Sequence, residues 1–92
     1  MTAAKTEETR EDRIKRLIYR SIYTGTKETD LLLGNFAKQN LEGLSPELLD
    51  AYEALIENSD PDLYMWISRR KPVPEAWNGE IMQRLQDFKI ED

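Results

Sequence analysis

Residues 24–37 read Thr-Gly-Thr-Lys-Glu-Thr-Asp-Leu-Leu-Leu-Gly-Asn-Phe-Ala, and how this stretch is read decides the fold. Gly25, between two threonines, suits a chain break, because glycine enters the left-handed conformation without steric cost. Thr26 can cap a new helix by accepting a backbone N–H one turn in. Glu28 and Asp30, in that helix's first turn, suit the positive end of the dipole. Leu31, Leu32, Leu33, Phe36 and Ala37 follow as an anchor turned toward a core. Leu32 with Phe36 and Leu33 with Ala37 form i,i+4 pairs, and Gly34 admits a neighbouring helix at close range. The spacing predicts a helix from Lys27 to about Asn40, ended by Gly43. A polar shoulder joined to a buried anchor reads as a contact surface on a rigid support.

Upstream, Ile14, Leu17, Ile18 and Ile22 recur at helical spacing, which predicts an amphipathic helix from Arg10 to Tyr23 with Arg13, Arg16 and Arg20 on another face. Downstream, Ser45-Pro46-Glu47 has the preferred order of a helix start: cap, proline, acid. Leu48, Tyr52, Leu55 and Ile56 supply that helix's apolar stripe. Asp60-Pro61-Asp62 repeats the pattern and opens a short fourth helix carrying Leu63, Tyr64, Trp66 and Ile67, stopped at Lys71-Pro72. Pro72-Val73-Pro74 is a stiff extended connector. Ile81, Leu85 and Phe88 define a last helix from about Asn78 to Lys89. No period-two strand pattern occurs. The expected architecture is all-α: a compact five-helix domain over residues 10–92, with residues 1–9 a disordered tail.

Composition narrows the function classes. A chain of 92 residues buries only about 60–65% of its unfolded surface, so a roomy internal pocket is not expected. There is no cysteine and no histidine, which removes disulfides, thiolate and imidazole metal sites, cysteine nucleophiles and catalytic triads. No apolar run approaches the roughly 20 residues that span a bilayer, so direct membrane insertion is not expected. Met1 to Asp12 carries four acids beside Lys5 and Arg10, unlike a secretory signal or an acid-poor transit peptide, which points to a cytoplasmic location over the mitochondrial matrix.

The net charge of −5 is unevenly placed. From Leu41 to Ser68 there are seven acids and no lysine or arginine, whereas Arg10, Arg13, Lys15, Arg16 and Arg20 crowd the first helix. A basic end and an acidic flank are expected.

The carboxylates are the remaining candidates for acid-base chemistry. Glu28 and Asp30 are two residues apart on a helix and diverge. Glu53 shares a face with Glu57 and with Asp50, the pattern of a solvated helix surface, and too few oxygens converge to cage a metal. The basic stripe with Tyr19 and Tyr23 could stack on bases. A pI near 4.8 and the lack of a nucleic-acid motif argue against that partner. Tyr64 and Trp66 fit either a core or a binding patch.

Two phrases, Glu28-x-Asp30-Leu31-Leu32-Leu33-Gly34-x-Phe36-Ala37 and Asp60-Pro61-Asp62-Leu63-Tyr64-x-Trp66, resemble the small assembly factors of succinate dehydrogenase, the SdhE and Sdh5 family. The likeness runs from about Arg13 to Phe88. It implies a five-helix protein that is not an enzyme. Such a protein binds the flavoprotein subunit of succinate dehydrogenase or fumarate reductase and promotes covalent attachment of FAD, through the flavin 8α-methyl, to a histidine of that partner. FAD would act on the partner and would not be bound tightly by this chain.

The family signature Arg-Gly-x-x-Glu is matched here by Thr24-Gly25-Thr26-Lys27-Glu28, with the arginine missing. The resemblance implies that Gly25 shapes the bend and Glu28 meets the partner; either the partner surface differs, or Lys27 or Arg20 supplies the charge that Thr24 lacks. The partner-binding set is therefore Thr24, Gly25, Glu28 and Asp30, joined by Arg20, Lys27, Tyr64 and Trp66; no catalytic, cofactor-binding or metal residue is assigned. The rival reading is an acidic helical adaptor or inhibitor of an unrelated protein.

Overall fold

The computed structural model describes residues 8–58 and 60–88. Among the described residues five α-helices run in order: α1 Arg10–Ile22, α2 Lys27–Asn40, α3 Pro46–Leu55, α4 Asp60–Ile67 and α5 Glu80–Asp87. No strand occurs among the described residues, so the expected all-α fold holds. Of the expected tail, residues 1–7 lie outside the described residues. Thr9 caps α1, its hydroxyl accepting from Asp12 N–H at 3.0 Å, and Glu8 meets Arg16 at 2.8 Å.

The caps read at Thr26 and Ser45 are in place. Thr26 Oγ1 accepts from Thr29 N–H at 3.4 Å, and Ser45 Oγ from Leu48 N–H at 3.2 Å. Gly34 sits where Ile22 of α1 crosses α2. A Cβ there would lie 3.2 Å from Ile22 Cγ1, so glycine is what lets the two helices meet this closely. The α1–α2 hairpin is the broadest helix contact. α4 also packs on α2, while α5 touches α3 and α4.

Leu17, Leu33, Leu41, Tyr52, Leu55, Met82 and Leu85 are fully buried at its centre. Phe36 stacks on Tyr52, centroids 5.8 Å apart, and meets Phe88 edge-on at 5.4 Å. One buried polar link crosses this core. Ser21 Oγ donates to the Leu17 carbonyl at 2.7 Å. With its single proton committed, it accepts from the Tyr52 hydroxyl. Burial pushes the Tyr52 phenol well above its ordinary pKa and keeps it a donor.

Three expectations are corrected. First, Leu31 does not face the core and is 54% exposed. Three consecutive leucines span about 200° of helix, and the core takes Leu33 fully and Leu32 partly. Second, α4 stops at Ile67 rather than running to Lys71. Arg69 enters the left-handed region at φ 65, and its N–H bonds Trp66 O while Arg70 N–H bonds Met65 O. This Schellman closure normally uses glycine. Arg69 also pairs with Asp87 at 3.1 Å, and Gln86 donates to Trp66 O at 3.0 Å, so α5 holds the closed end. Third, α5 starts at Glu80, because Glu75–Trp77 forms a separate 3₁₀ turn and Gly79 is extended. It ends before Phe88; Lys89 lies outside the described residues.

The basic end and the acidic flank are not separate surfaces. Arg13 meets Asp50 at 2.6 Å and Glu53 at 2.9 Å. Arg16 bridges Glu53 at 3.0 Å and Glu8, and Arg20 reaches Glu57 at 3.4 Å. Arg10 donates to the carbonyls of Glu42 and Leu44. The stripe expected to face solvent or a partner clamps α1 to α3. Glu53, central to the ladder, has its pKa held below the ordinary value, chiefly by Arg16 with help from Arg13 and against partial burial.

Replacing Tyr52 with Phe should cost about 1 kcal/mol, since Ser21 keeps its bond to Leu17, and replacing it with Ala about 3–5 kcal/mol from the cavity; urea unfolding measures both. For Glu53, a pKa lowered on folding adds stability that is complete above the unfolded value of 4.5 and is lost as the pH falls through the lower folded value. Glu53→Gln should therefore be about 1 kcal/mol less stable than the parent at neutral pH. That gap should close as the pH drops below 4.5, which urea midpoints across the acid range will read.

Candidate docking edge

The loop joining α1 to α2 is built from short-range chemistry. Gly25 takes φ 139, a value side chains rarely adopt. Asp30, one turn into α2, reaches back over the bend. Its Oδ1 accepts from both Thr24 N–H and Thr24 Oγ1–H at 2.6 Å. These two bonds, the side-chain one foremost, hold the Asp30 carboxyl below the ordinary aspartate range, and the Gly25 N–H adds to them. The carboxylate therefore fixes the loop before any partner arrives.

This accounts for two of the expected contact residues in a new way. Thr24, at the arginine position of the family signature, is half-buried and turned onto Asp30. Asp30 uses its charge inside the chain. Glu28, by contrast, is exposed and makes no side-chain hydrogen bond or ion pair among the described residues. Gly25 and Lys27 are exposed beside it. Arg20, paired with Glu57, lines the same small depression as Thr24, so it is a cation close to the vacant arginine position.

Tyr64 and Trp66 separate. Trp66 is 8% exposed and belongs to the core. Tyr64 is half-buried, with the Arg70 guanidinium over its ring at 5.7 Å. It lines a groove of about 370 Å³ together with Glu28, Leu31 and Leu32. The start of α2 and the fourth helix thus share one groove. Leu31, Tyr19 and Tyr23 are the large exposed apolar side chains, and the two tyrosine rings pack at 4.7 Å. Sequence reading placed Leu31 in the core and missed it as surface, although a third leucine in a row was a usable signal.

Among the described residues no group of acids could hold a metal ion, and no helix is long and apolar enough to cross a membrane. Fold and edge together define a small helical domain with a preformed, partly apolar surface beside the α1–α2 bend. The family model described as Sdh5, flavinator of succinate dehydrogenase, matches residues 15–89, and the chain belongs to this family of succinate dehydrogenase assembly factors.

Similar proteins carry the name succinate dehydrogenase assembly factor 2, mitochondrial. The one from Candida glabrata is 48% identical, covering 79% of this chain and 50% of its own length. That from Meyerozyma guilliermondii is 42% identical, covering 96% and 69%, and that from Mycosarcoma maydis 46%, covering 76% and 29%. The chain spans about half the length of the relatives it matches. Their names call those proteins mitochondrial, and the cytoplasmic location expected for this chain from residues 1–12 is not supported. Those residues lie outside the matched stretch.

Gly25→Ala should cost about 1–3 kcal/mol, because alanine must hold a positive φ. Gly43→Ala should change stability by under about 0.5 kcal/mol, since open space surrounds the added Cβ. Thermal melts of the two variants side by side check the contrast.

Proposed function

We propose that this chain binds the flavoprotein subunit of succinate dehydrogenase, or of the related fumarate reductase, in mitochondria, and promotes covalent attachment of FAD to a histidine of that subunit. The reading rests on the family match across residues 15–89. The docking edge supports it: Glu28 is exposed and has no side-chain partner among the described residues, beside a bend already locked by Asp30.

The chain acts as a helper and not as an enzyme. Its task is to hold the partner so that flavin and acceptor side chain approach in reacting geometry, a contribution that needs a stiff surface and no catalytic group. The grooves beside Leu31 are open to the surface, which supports leaving FAD to the partner, where the chemistry belongs to the cofactor. Glu28 offers the edge an acceptor for a partner arginine or backbone N–H. Gly25 leaves room for backbone to come close.

The test mixes the purified chain with the apo flavoprotein subunit and FAD and follows flavin fluorescence that survives a denaturing gel. Covalent flavin should accumulate faster with the chain present. Glu28→Ala should slow this by about tenfold or more with an unchanged melting temperature. An equal rate with and without the chain rules the reading out.

A further inference from the structure

A second groove, of about 430 Å³, runs along α2 on the other side of Leu31. Resting on the docking reading above, we infer that it takes an acidic segment of the partner, with two carboxylates flanking an apolar side chain. Lys27, Leu31, Gly34 and Lys38 follow one another at spacings of four, three and four on α2, so they form a single stripe. The lysines stand about 16 Å apart at 1.5 Å per residue, roughly three helical turns. Between them the floor is Ile22 packed over Gly34. Leu31, 54% exposed, and Tyr23, 67% exposed, flank it.

The charge of this groove opposes that of the molecule. The chain carries −5, yet neither lysine has an ion-pair partner among the described residues. The acid in the groove is Asp30, which stays ionised with its Oδ1 bonded to Thr24, so the lining holds two lysines against one carboxylate. Arg13, Arg16 and Arg20 of α1 are paired with Asp50, Glu53, Glu57 and Glu8. The groove is thus a local cationic site with an apolar middle. Two lysines fall short of the cluster of about four or more basic residues that holds a protein to an anionic bilayer. An apolar side chain seated beside Leu31, with a carboxylate at each end, satisfies both features, and charge matching of this kind sets register and encounter rate.

The experiment titrates the full chain against the apo flavoprotein subunit at low and high salt, comparing Lys27→Glu, Lys38→Glu and Lys15→Glu. All three change net charge equally, but Lys15 is exposed on α1 and outside the groove. The groove variants should bind about tenfold more weakly at low salt, with the gap shrinking at high salt. Lys15→Glu should stay within about twofold of the parent, and Lys38→Gln should fall between. Circular dichroism verifies folding. If the parent binds and the groove variants match Lys15→Glu, the inference fails while the proposed function stands. If the parent does not bind the subunit, both fail. Lysine-dependent binding to phosphatidylserine vesicles, or lysine-dependent self-association in sedimentation, with unchanged affinity for the subunit, would assign the groove to lipid or to a second copy and overturn the inference.

Discussion

The close crossing of α1 and α2 at Gly34 is the constraint on which the rest of this structure depends. Ile22 lies against the glycine, so the helices must turn back on each other within residues 23–26. A reversal that short leaves few ways through. It demands the positive φ at Gly25 and leaves the N–H of Thr24 facing inward without a helical acceptor. Asp30 fills that role. The docking edge is therefore a by-product of how tightly the hairpin closes. Its stiffness comes from the same bonds that satisfy the loop.

Charge does the second half of the work, because a domain this small has limited core to hold three layers of side chains together. The Tyr52–Ser21 bond fixes α3 against α1 inside, and the ladder from Arg13 to Arg20 fixes it outside. Single exposed pairs contribute little, but Glu53 serves two arginines at once and loses less freedom per bond made. The result is a chain whose most charged helix has little net field on its α3-facing side, while the lysines of the α2 stripe have no ion-pair partner among the described residues.

Local grammar was legible in the sequence: the caps at Thr26 and Ser45, the bend at Gly25 and the close approach at Gly34 all depend on neighbours within a turn or on one residue's size. Features that depend on contacts across the fold were not. Arg69 adopts a glycine's conformation where Asp87 and Gln86 on α5 meet the end of α4, and no local signal announces this. The arginine stripe could not be told from a solvated face until α3 was laid beside it. Asp30 was legible as a helix-dipole residue and as part of the edge, but its bonds to Thr24 exist only once the bend is made. Leu31 was misplaced because periodicity gives a face to each leucine without saying how wide the core stripe is.

The replacement at the first signature position can be understood in the same terms. An arginine there would carry its charge outward on a long, mobile side chain. Threonine instead gives its hydroxyl to Asp30 at 2.6 Å, adding a second bond to a carboxylate that already accepts the backbone N–H. Flexibility at the edge is reduced, and ordering a loose loop or a rotamer-rich side chain is a cost of binding. A short, internally bonded residue lowers that cost but removes a cation from the contact. Arg20 lies beside the same depression, with its charge met there by Glu57.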